Sequence, residues 1–543
     1  MMKTIKRLLE LGEVKVISIL LLMMLGVISS LFSILPLEIV RFYGEQVESG
    51  SSTSLIMYIL SGTGLKLENH GQIILMFFLS ALVYIISRNV YGYLTARVTN
   101  VLISRVQAKL YKSLLNNNYK YHTANSSSSS NYKLTSDCQY LELIFSQPFY
   151  TALSDLFDLF WISIVLVSIS PSSFVVFILV VPIIIFFSHF MAKKQRSLFA
   201  SVQEEESEKI ERSYNVLQNI DSIKALGSES VEYRAFCANN QKILTKKNHA
   251  DLILSLFFPI EGLFRFSALS IAILLYFLND NITGTALVAL IAFGLRFFSP
   301  ISNFNKYYHS FQSGLASAER ILSAMDICHR ELAESVNTDT FLDVNSIEVD
   351  KVIISHGNAN IQYPNIQINK GDRIHLKGAS GRGKSLLAKC LLGFVEFLGE
   401  IRINGKNTSY NDLIALRKSI TYVSQDPFIL KASLIDNITY PLDKKPDLKE
   451  INSIVEVLNI ECLAKKNQIQ SETLSGGEKK RIALARALLS SKDIILLDEV
   501  NSNLDSNSKS IVEKLIGNHF LDKIIIIISH SDISESGFKI VEI

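Results

Sequence analysis

The chain contains few charged residues and few cysteines for its length. Only 19% of its 543 residues are Asp, Glu, Lys or Arg, whereas 48% are hydrophobic, which is more apolar than a typical soluble protein. The formal net charge of +3 gives no reason to expect a nucleic-acid partner. The composition therefore argues against a wholly soluble protein and a nucleic-acid-binding protein. Five cysteines stand in no metal-ligand spacing, and we expect no disulfide among them: Cys138, Cys237, Cys328, Cys390 and Cys462.

Most of the apolar excess lies in roughly the first 300 residues. Six stretches there approach or exceed the length of a helix that crosses the hydrocarbon core of a membrane. Six crossings place both termini on the same side. The sequence therefore predicts an all-α membrane domain over residues 1–325, a linker over 326–344 and a second domain over 345–543. The six stretches are Val16–Val40, Ile73–Leu94, Pro148–Ile169, Phe174–Met191, Leu252–Leu278 and Thr285–Ser302.

Cations in the connections predict the orientation of these spans. Basic residues mark the N-terminal segment and the connections after the second and fourth spans, so these segments are expected to face the cytoplasm. We therefore expect a multi-pass membrane protein, surrounded by lipid, with both termini and the second domain in the cytoplasm. The cations are Lys3, Lys6, Arg7, Arg105, Lys109, Lys112, Lys193, Lys194 and Arg196.

The two basic connections are long and have the pattern of helices. Apolar residues recur at helical spacing over 96–119 and 193–243, among many charges and without proline. These segments predict helices that project far into the cytoplasm. The serine run Ser126–Ser130 interrupts the first projection and predicts a flexible bend, with a contact loop as the alternative.

The second domain has the composition of a soluble α/β domain and contains a phosphate-binding motif. Residues Gly378–Ser385 read Gly-Ala-Ser-Gly-Arg-Gly-Lys-Ser, with a predicted strand before them at Arg373–Lys377 and a predicted helix after them at Ser385–Leu392. Glycines let backbone N–H groups surround the phosphates, Lys384 adds a positive charge, and the Ser385 hydroxyl can bind Mg²⁺. This motif predicts binding of ATP or GTP.

Two further segments suit the same chemistry. The apolar strand that starts at Ile494 ends in Asp498 and Glu499, which suit magnesium binding and polarisation of an attacking water; alternatively it is a buried strand with a solvated end. Leu474–Glu478 places a serine hydroxyl and two glycine N–H groups at a helix start, which is a second anion site. One domain already holds phosphates in its own loop. The second site therefore makes sense if it closes over nucleotide bound to another copy.

At this point the chain resembles the ATP-binding cassette transporters, specifically type IV exporters that fuse six membrane helices to one α/β nucleotide-binding domain with a helical subdomain. Leu474–Glu478 is similar to the family signature, Gly378–Ser385 to its Walker A motif and Ile494–Glu499 to its Walker B motif. Gln425 resembles the Q-loop glutamine and His530 the switch histidine. Similar agreement is found in three more segments, the D-loop Ser502–Asp505, Ala316–Ile321 and Ile223–Glu229.

The resemblance implies ATP and Mg²⁺ as cofactors and a role for each motif residue. Catalysis would rest on Glu499, His530 and Gln425, and magnesium would be held by Ser385, Gln425 and Asp498. A second copy of the chain would complete each site. The phosphate-binding residues would be Gly378, Ser380, Gly381, Gly383, Lys384, Ser385 and Leu386, and the residues acting from the partner would be Ser475, Gly476, Gly477, Glu478 and Asp505.

Two of the departures from the family pattern affect the expected adenine contact and the communication with the membrane domain. His356 stands where a tyrosine usually stacks on adenine; either His356 stacks, or it is an ordinary loop residue and Tyr363 supplies the ring. The segment Lys465–Thr473 lacks the acidic-glycine sequence that exporters use to communicate with their coupling helices, so communication there is expected to be rewired or weaker.

The resemblance implies a homodimeric ATP-hydrolysing exporter. Its favoured cargo is an antimicrobial or other small peptide, and a lipid or drug is the alternative within the family. A rival of another class is an ATP-gated channel or regulatory membrane protein that does not pump. Ionisable residues in the spans either contact the cargo or pair with one another to fix helix packing: Arg88, Asp155, Asp158, Arg265 and Arg296.

Overall fold

The computed structural model describes most of the chain in two compact units. The first unit comprises Met1–Leu114 and Ser128–Met325, and the second comprises Leu115–Ser127 and Asp326–Ile543. The described residues are 2–49, 70–117, 119–125, 127–145, 147–278, 283–334, 343–356, 359–379, 381–408, 412–413, 416–440, 442, 446–500, 522–529 and 537–543.

Helices account for nearly all of the described chain before residue 335. In chain order they are α1 (Met2–Leu11), α2 (Val16–Ser49), α3 (His70–Asn116), α4 (Tyr119–Ala124), α5 (Ser127–Tyr132), a π-helical turn (Lys133–Asp137), α6 (Cys138–Tyr140), α7 (Glu142–Phe145), α8 (Gln147–Ile169), α9 (Pro171–Gln218), α10 (Ile220–Ala225), α11 (Glu229–Phe277), α12 (Gly284–Phe297) and α13 (Ser299–Glu334).

Six of these helical segments are long and apolar enough to cross a membrane, which confirms the predicted number of spans. Pro36, Pro182 and Pro259 lie inside membrane helices, where packing against neighbours tolerates them. A core of aromatic and aliphatic side chains, among them Phe177 and Phe293, holds the spans together. The spans lie within Val16–Glu48, His70–Asn116, Ala152–Ile169, Pro171–Met191, Pro259–Phe277 and Gly284–Phe304.

The two predicted cytoplasmic projections are helical. Helix α3 continues to Asn116, and α9 and α11 extend the fourth and fifth spans on either side of the short helix α10. The prediction of a flexible bend is wrong for Ser127–Ser130, which lie in α5, whereas Ser126 lies outside the described residues. Serine has only a modest helix penalty, which flanking helical structure can override.

A bidentate ion pair joins the segment before the third span to the exit from the sixth. Asp137 is fully buried and accepts from Arg320 through Nε at 3.0 Å and Nη2 at 2.6 Å. Arg320 Nη2 also donates to Ser317 Oγ at 2.9 Å. Six residues earlier, a Cβ on Gly314 would lie 2.5 Å from the Ile144 side chain, so only glycine allows α13 to approach this closely. The pair therefore fixes a close helix contact outside the membrane spans.

The second unit contains ten strands and five further helices in its described part. The strands are β1 (Ser346–His356), β2 (Ala359–Gln362), β3 (Ile366–Asn369), β4 (Arg373–Lys377), β5 (Leu398–Ile403), β6 (Lys406–Asn407), β7 (Ile420–Val423), β8 (Ile494–Asp498), β9 (Ile524–Ile528) and β10 (Lys539–Glu542). The helices are α14 (Lys384–Leu391), α15 (Leu434–Ile438), α16 (Leu448–Val457), α17 (Glu461–Ala464) and α18 (Gly476–Leu488), with 3₁₀ turns at Arg417–Ser419 and Ser471–Thr473.

The strands form two sheets. Strands β1, β2, β3, β5 and β6 form an antiparallel sheet around β1, and the other five form a parallel sheet in the order β10-β4-β9-β8-β7. Every residue of β8 and β9 is buried, because alternate side chains enter the cores on the two faces of the parallel sheet. The carboxyl ends of β4, β7 and β8 consequently meet at one edge, where the candidate site lies.

Helix α4 packs within the second unit. The ring of Tyr119 stacks on Phe394 with 4.6 Å between centroids, and Lys120 Nζ lies 3.4 Å from the Glu396 carboxylate. The ion pair is exposed and contributes little. The aromatic stack is therefore the main contact between these two segments.

We predict that Asp137→Asn lowers the stability of the protein by about 1.5–3 kcal/mol, because the substitution removes the charge from a buried bidentate bond. The measurement is thermal unfolding of the purified full-length chain. The matched control is Glu232→Gln, which breaks the more exposed bidentate pair with Arg212 and should cost less than about 1 kcal/mol. Equal shifts for the two variants would contradict the prediction.

Candidate nucleotide-binding site and membrane charges

The phosphate-binding motif lies between β4 and α14, as the sequence predicts. Gly381 and Gly383 have φ angles of 80° and 90°, and the helix starts at Lys384. Both angles fall in the left-handed region that glycine enters without strain. The loop therefore turns sharply and presents the N-terminus of α14 to an anion.

Steric contacts explain two of the glycines. A Cβ on Gly378 would lie 2.4 Å from the backbone oxygen of Ile543. A Cβ on Gly383 would lie 2.8 Å from both Ile361 Cδ1 and the Tyr363 hydroxyl. The hydroxyl of Tyr363 donates to the Gly383 carbonyl at 2.8 Å, so this core residue supports the phosphate loop.

The burial of Tyr363 bears on one of the two candidates for the adenine-stacking ring. Tyr363 is buried, so its ring has no face open to adenine. Its role is to support the phosphate loop, and the alternative that it stacks on the nucleotide is wrong. His356 is the last residue of β1, and its side chain lies outside what the structure describes. Stacking by His356 stays a prediction.

Lys384 lies over the loop that precedes it. Its Nζ donates to the carbonyls of Gly378 at 2.6 Å and Ala379 at 3.0 Å. Burial lowers the pKa of this ammonium group, whereas the carboxylates of Glu499 and Asp498 act in the opposite direction. The side chain therefore places a positive charge beside the phosphate loop, next to Gly378 and Ala379.

Asp498 joins the two motifs. Its Oδ1 accepts from Ser385 Oγ at 3.1 Å, and its Oδ2 accepts from the Tyr422 hydroxyl at 3.0 Å. Burial and the neighbouring Asp498 raise the pKa of Tyr422, so this hydroxyl remains a donor at neutral pH. A hydroxyl and a carboxylate at this spacing are oxygen ligands of the kind that Mg²⁺ prefers. The arrangement therefore fits a magnesium ion held by Ser385 and Asp498.

Both the side chain and the backbone of Glu499 are hydrogen-bonded. Its side chain accepts from Gln425 Nε2 at 2.9 Å, its N–H donates to Ile528 O at 2.9 Å, and its carbonyl accepts from Lys480 Nζ at 2.8 Å. Its φ of 51° is uncommon for a residue other than glycine and is maintained by these bonds. The carboxylate is thus positioned beside Gln425 at the carboxyl end of β8.

The segment Leu474–Glu478 forms the predicted helix start. Ser475 Oγ accepts from the Glu478 N–H at 3.2 Å, and the Glu478 carboxylate accepts from the Ser475 N–H at 2.8 Å, which makes a capping box. Burial acts to raise the pKa of Glu478, but these bonds and the charges of Arg481 and Lys466 outweigh burial and lower it. The box orders the first turn of α18, where Gly476 and Gly477 lie.

Several predicted site residues cannot be placed. Ser380, Asp505 and His530 lie outside the residues that the structure describes. Leu386 lies on α14 and packs against a hydrophobic core, so its side chain is structural. Tyr422 and Lys480 were missed by sequence reasoning; the only signal for Tyr422 was its place three residues before Gln425, and Lys480 had none beyond its place after Glu478.

Comparison with known proteins agrees with this geometry. The family model for the ABC transporter transmembrane region matches residues 15–300, more than half of the chain, and the ABC transporter model matches residues 361–502. The chain belongs to the ABC transporters. It is therefore a multi-pass membrane protein with an ATP-binding domain on the same chain.

The transporter is similar to several curated proteins. It is 30% identical over 350 residues to a lactococcin-A transport/processing ATP-binding protein of Lactococcus lactis subsp. lactis, an alignment that covers 60% of this chain and less than half (47%) of that protein. It is 23% identical over 477 residues to the ATP-dependent lipid A-core flippase of Pseudoalteromonas translucida, covering 82% of this chain and 80% of that protein. Neither similarity assigns a cargo.

The fold of the transporter matches that of a bacterial Atm1-family ABC exporter solved with ATP bound. The TM-score is 0.77 at 17% sequence identity, and the match covers 97% of this chain and 93% of the other. The six-span domain and the α/β domain that follows it thus share the fold of that protein.

Two of the predicted membrane charges pair with each other. Arg296 of α12 donates to the backbone and hydroxyl oxygens of Ser33 at 2.8 and 2.6 Å and lies 3.4 Å from the Asp158 carboxylate. Ser33 Oγ in turn lies 3.0 Å from Asp158. The cluster joins three spans, which favours helix packing over cargo contact for Arg296 and Asp158. The Arg265 guanidinium lies over the ring of Phe266, its neighbour in sequence.

A second group of membrane charges was missed by sequence reasoning. In the first span Arg41 is fully buried and bonds Glu38 at 3.1 Å and Glu45 at 2.7 Å, with Ser168 of α8 at 3.0 Å. The predicted span ended at Val40, whereas α2 continues to Ser49. The spacing of Glu38, Arg41 and Glu45 at three and four residues was the available signal.

We predict that Gly383→Ala weakens ATP binding at least about tenfold, because it adds both backbone strain and a clash with Tyr363 to the phosphate loop. The measurement is titration of the purified protein with a fluorescent ATP analogue. Gly262→Ala serves as control, since a Cβ there would meet no atom within 4 Å and the helix favours alanine. An unchanged affinity in Gly383→Ala would show that the loop does not hold the nucleotide as described.

Proposed function

We propose that the transporter hydrolyses ATP to export a cargo from the cytoplasm. The observation that carries the proposal is the edge of the parallel sheet at which Ser385, Asp498, Gln425 and Glu499 come together, on a chain whose first half spans a membrane. Lys384 and the loop amides bind the phosphates, Asp498 and Ser385 hold Mg²⁺ with help from Gln425, and Glu499 polarises the attacking water. His530 contacts the γ-phosphate in this proposal.

The proposed active form is a homodimer. Each chain has one phosphate loop and one ordered helix start at Ser475, and two copies would form two equivalent composite sites. Ser475, Gly477 and Asp505 would then act on the nucleotide of the partner. ATP would bind the closed dimer more tightly than the open one, and this difference in affinity is what drives the change of access.

A small peptide is the proposed cargo, and the similarity to the lactococcin-A transport/processing protein supports it. A lipid is the second candidate, since the lipid A-core flippase aligns over a larger share of both chains. A channel gated by ATP has less support, because Glu499 is positioned by three bonds that a gate without turnover does not require. The proposed location is the plasma membrane of a bacterium.

We predict that Glu499→Gln reduces steady-state phosphate release by at least about 100-fold and leaves ATP binding intact, because the amide cannot polarise water but still accepts from Gln425. Phosphate release and binding of a fluorescent ATP analogue are measured on the same preparation. Lys384→Ala is the contrasting variant and should weaken binding itself. Phosphate release at the wild-type rate in Glu499→Gln would refute the assigned role.

Transport in inside-out vesicles separates the candidate functions. We predict ATP-dependent uptake of a labelled amphipathic peptide against its gradient in the wild type and none in Glu499→Gln, because uphill movement needs turnover. ATP-dependent transfer of a fluorescent phospholipid between leaflets, without peptide uptake, would favour the lipid candidate. Downhill flux in Glu499→Gln on ATP binding alone would favour a channel.

A further inference from the structure

Helix α8 has one face toward lipid and another toward the inside of the membrane domain. Leu156 is 66% exposed, Phe160 56% and Val167 43%, and these three residues share one side of the helix. Asp155 and Asp158 lie on a different side, together with the fully buried Ile162. Charged groups in membrane spans face the protein interior or water rather than lipid. Both carboxylates therefore face inward.

The charge of Asp158 is accounted for within the chain. Arg296 lies 3.4 Å from its Oδ2, and Ser33 donates to its Oδ1 at 3.0 Å. Arg296 itself bonds Ser33 twice. Both carboxylate oxygens of Asp158 therefore have a partner among the described residues.

Asp155, one turn away, has a different set of partners. Its Oδ2 accepts from the Tyr307 hydroxyl at 2.7 Å and from Asn303 Nδ2 at 3.2 Å, and both donors are uncharged. Among the residues that the structure describes, no donor contacts Oδ1 and no cation forms an ion pair with this carboxylate. Arg88 acts on Asp155 only as a more distant charge, and its guanidinium donates to Tyr84.

The position of this carboxylate suits the entry of a cargo. The third span begins at Ala152 and the sixth ends at Phe304, so Asp155 and Tyr307 lie at the cytoplasmic end of the membrane domain in the predicted orientation. The two donors on α13 both bond Oδ2, so neither of them occupies Oδ1. A half-buried carboxylate attracts a cation more strongly than one in bulk water.

We propose that Asp155 is the cation subsite of the transport pathway and binds a primary ammonium or guanidinium group of the cargo through Oδ1. The inference rests on the proposed function, because it names the chemistry of what the exporter accepts. Asn303 and Tyr307 are positioning residues that orient the carboxylate. A lysine- or arginine-bearing peptide carries the required group, whereas a lipid without an amine does not.

The experiment measures cargo-stimulated ATPase activity of the full-length protein in lipid nanodiscs. Two model peptides are used, a nine-residue amphipathic peptide with two lysines and the same peptide with both lysines acetylated. In the wild type the lysine peptide should half-stimulate at a concentration about tenfold lower than the acetylated one. Asp155→Asn should remove this preference, and Asp155→Glu should retain it.

Two further variants separate charge from structure. Tyr307→Phe removes a hydrogen-bond donor without changing any charge, so a weakened but detectable preference is expected. Ser163→Ala lies on the same helix and should behave as the wild type, because among the described residues its hydroxyl donates to the backbone carbonyl of Leu159 alone. Retention of the full preference in Asp155→Asn would overturn the inference.

The wild type alone can also overturn it. If basal ATPase activity is present but the two peptides stimulate equally or not at all, Asp155 is not a cation subsite, and the proposed ATPase function stands. If Asp155→Asn does not assemble, the wild-type preference and its retention in Asp155→Glu decide the question. Absence of ATPase activity in the wild type would refute the proposed function and, with it, the inference that rests on it.

Discussion

The hydrogen bonds to Asp498 hold the nucleotide-binding domain together at the point where its chemistry is done. One carboxylate oxygen accepts from Ser385 at the start of α14, and the other accepts from Tyr422 on β7. Because β8 is buried along its whole length, Asp498 can occupy this position only if its charge is bonded at the edge of the sheet. Strand β8 thus contributes both to the apolar core, through its buried side chains, and to the polar site, through Asp498 at its end.

The residue after Asp498 shows how the core is linked to the rest of the domain. Glu499 leaves the strand at a positive φ, and its backbone is bonded to Ile528 of β9 and to Lys480 of α18. Helix α18 begins at the capping box of Ser475. A movement of this helix start relative to the sheet would therefore pull directly on the backbone of Glu499. Lys480 links the signature segment, through α18 and one hydrogen bond, to Glu499, the residue that we assign to water activation.

Sequence reasoning located the motifs but not the side chains that support them. The apolar run of β8 and the glycines before Lys384 have strong local signals, because burial and positive φ restrict the residue types allowed. Tyr363 and Tyr422 have no such signal: their contacts depend on strands that are distant in sequence, and either ring could equally have faced solvent. The helical serine run was mispredicted for a related reason, since a weak local preference gave way to the helices on both sides. The roles of Asp505 and His530 stay predictions.

Charge inside the membrane domain is governed by the cost of burying it. The charge of Arg41 is balanced by two carboxylates on its own helix. The charge of Arg296 is balanced by Asp158, in a cluster that joins three spans. In both clusters the ionic groups satisfy one another, so their main effect is to hold helices in register. Asp155 lies one turn from Asp158, and within the part of the chain that the structure describes its donors are uncharged. Because Asp158 has a cation and Asp155 has none among the described residues, we assign Asp155 to cargo recognition rather than to helix packing.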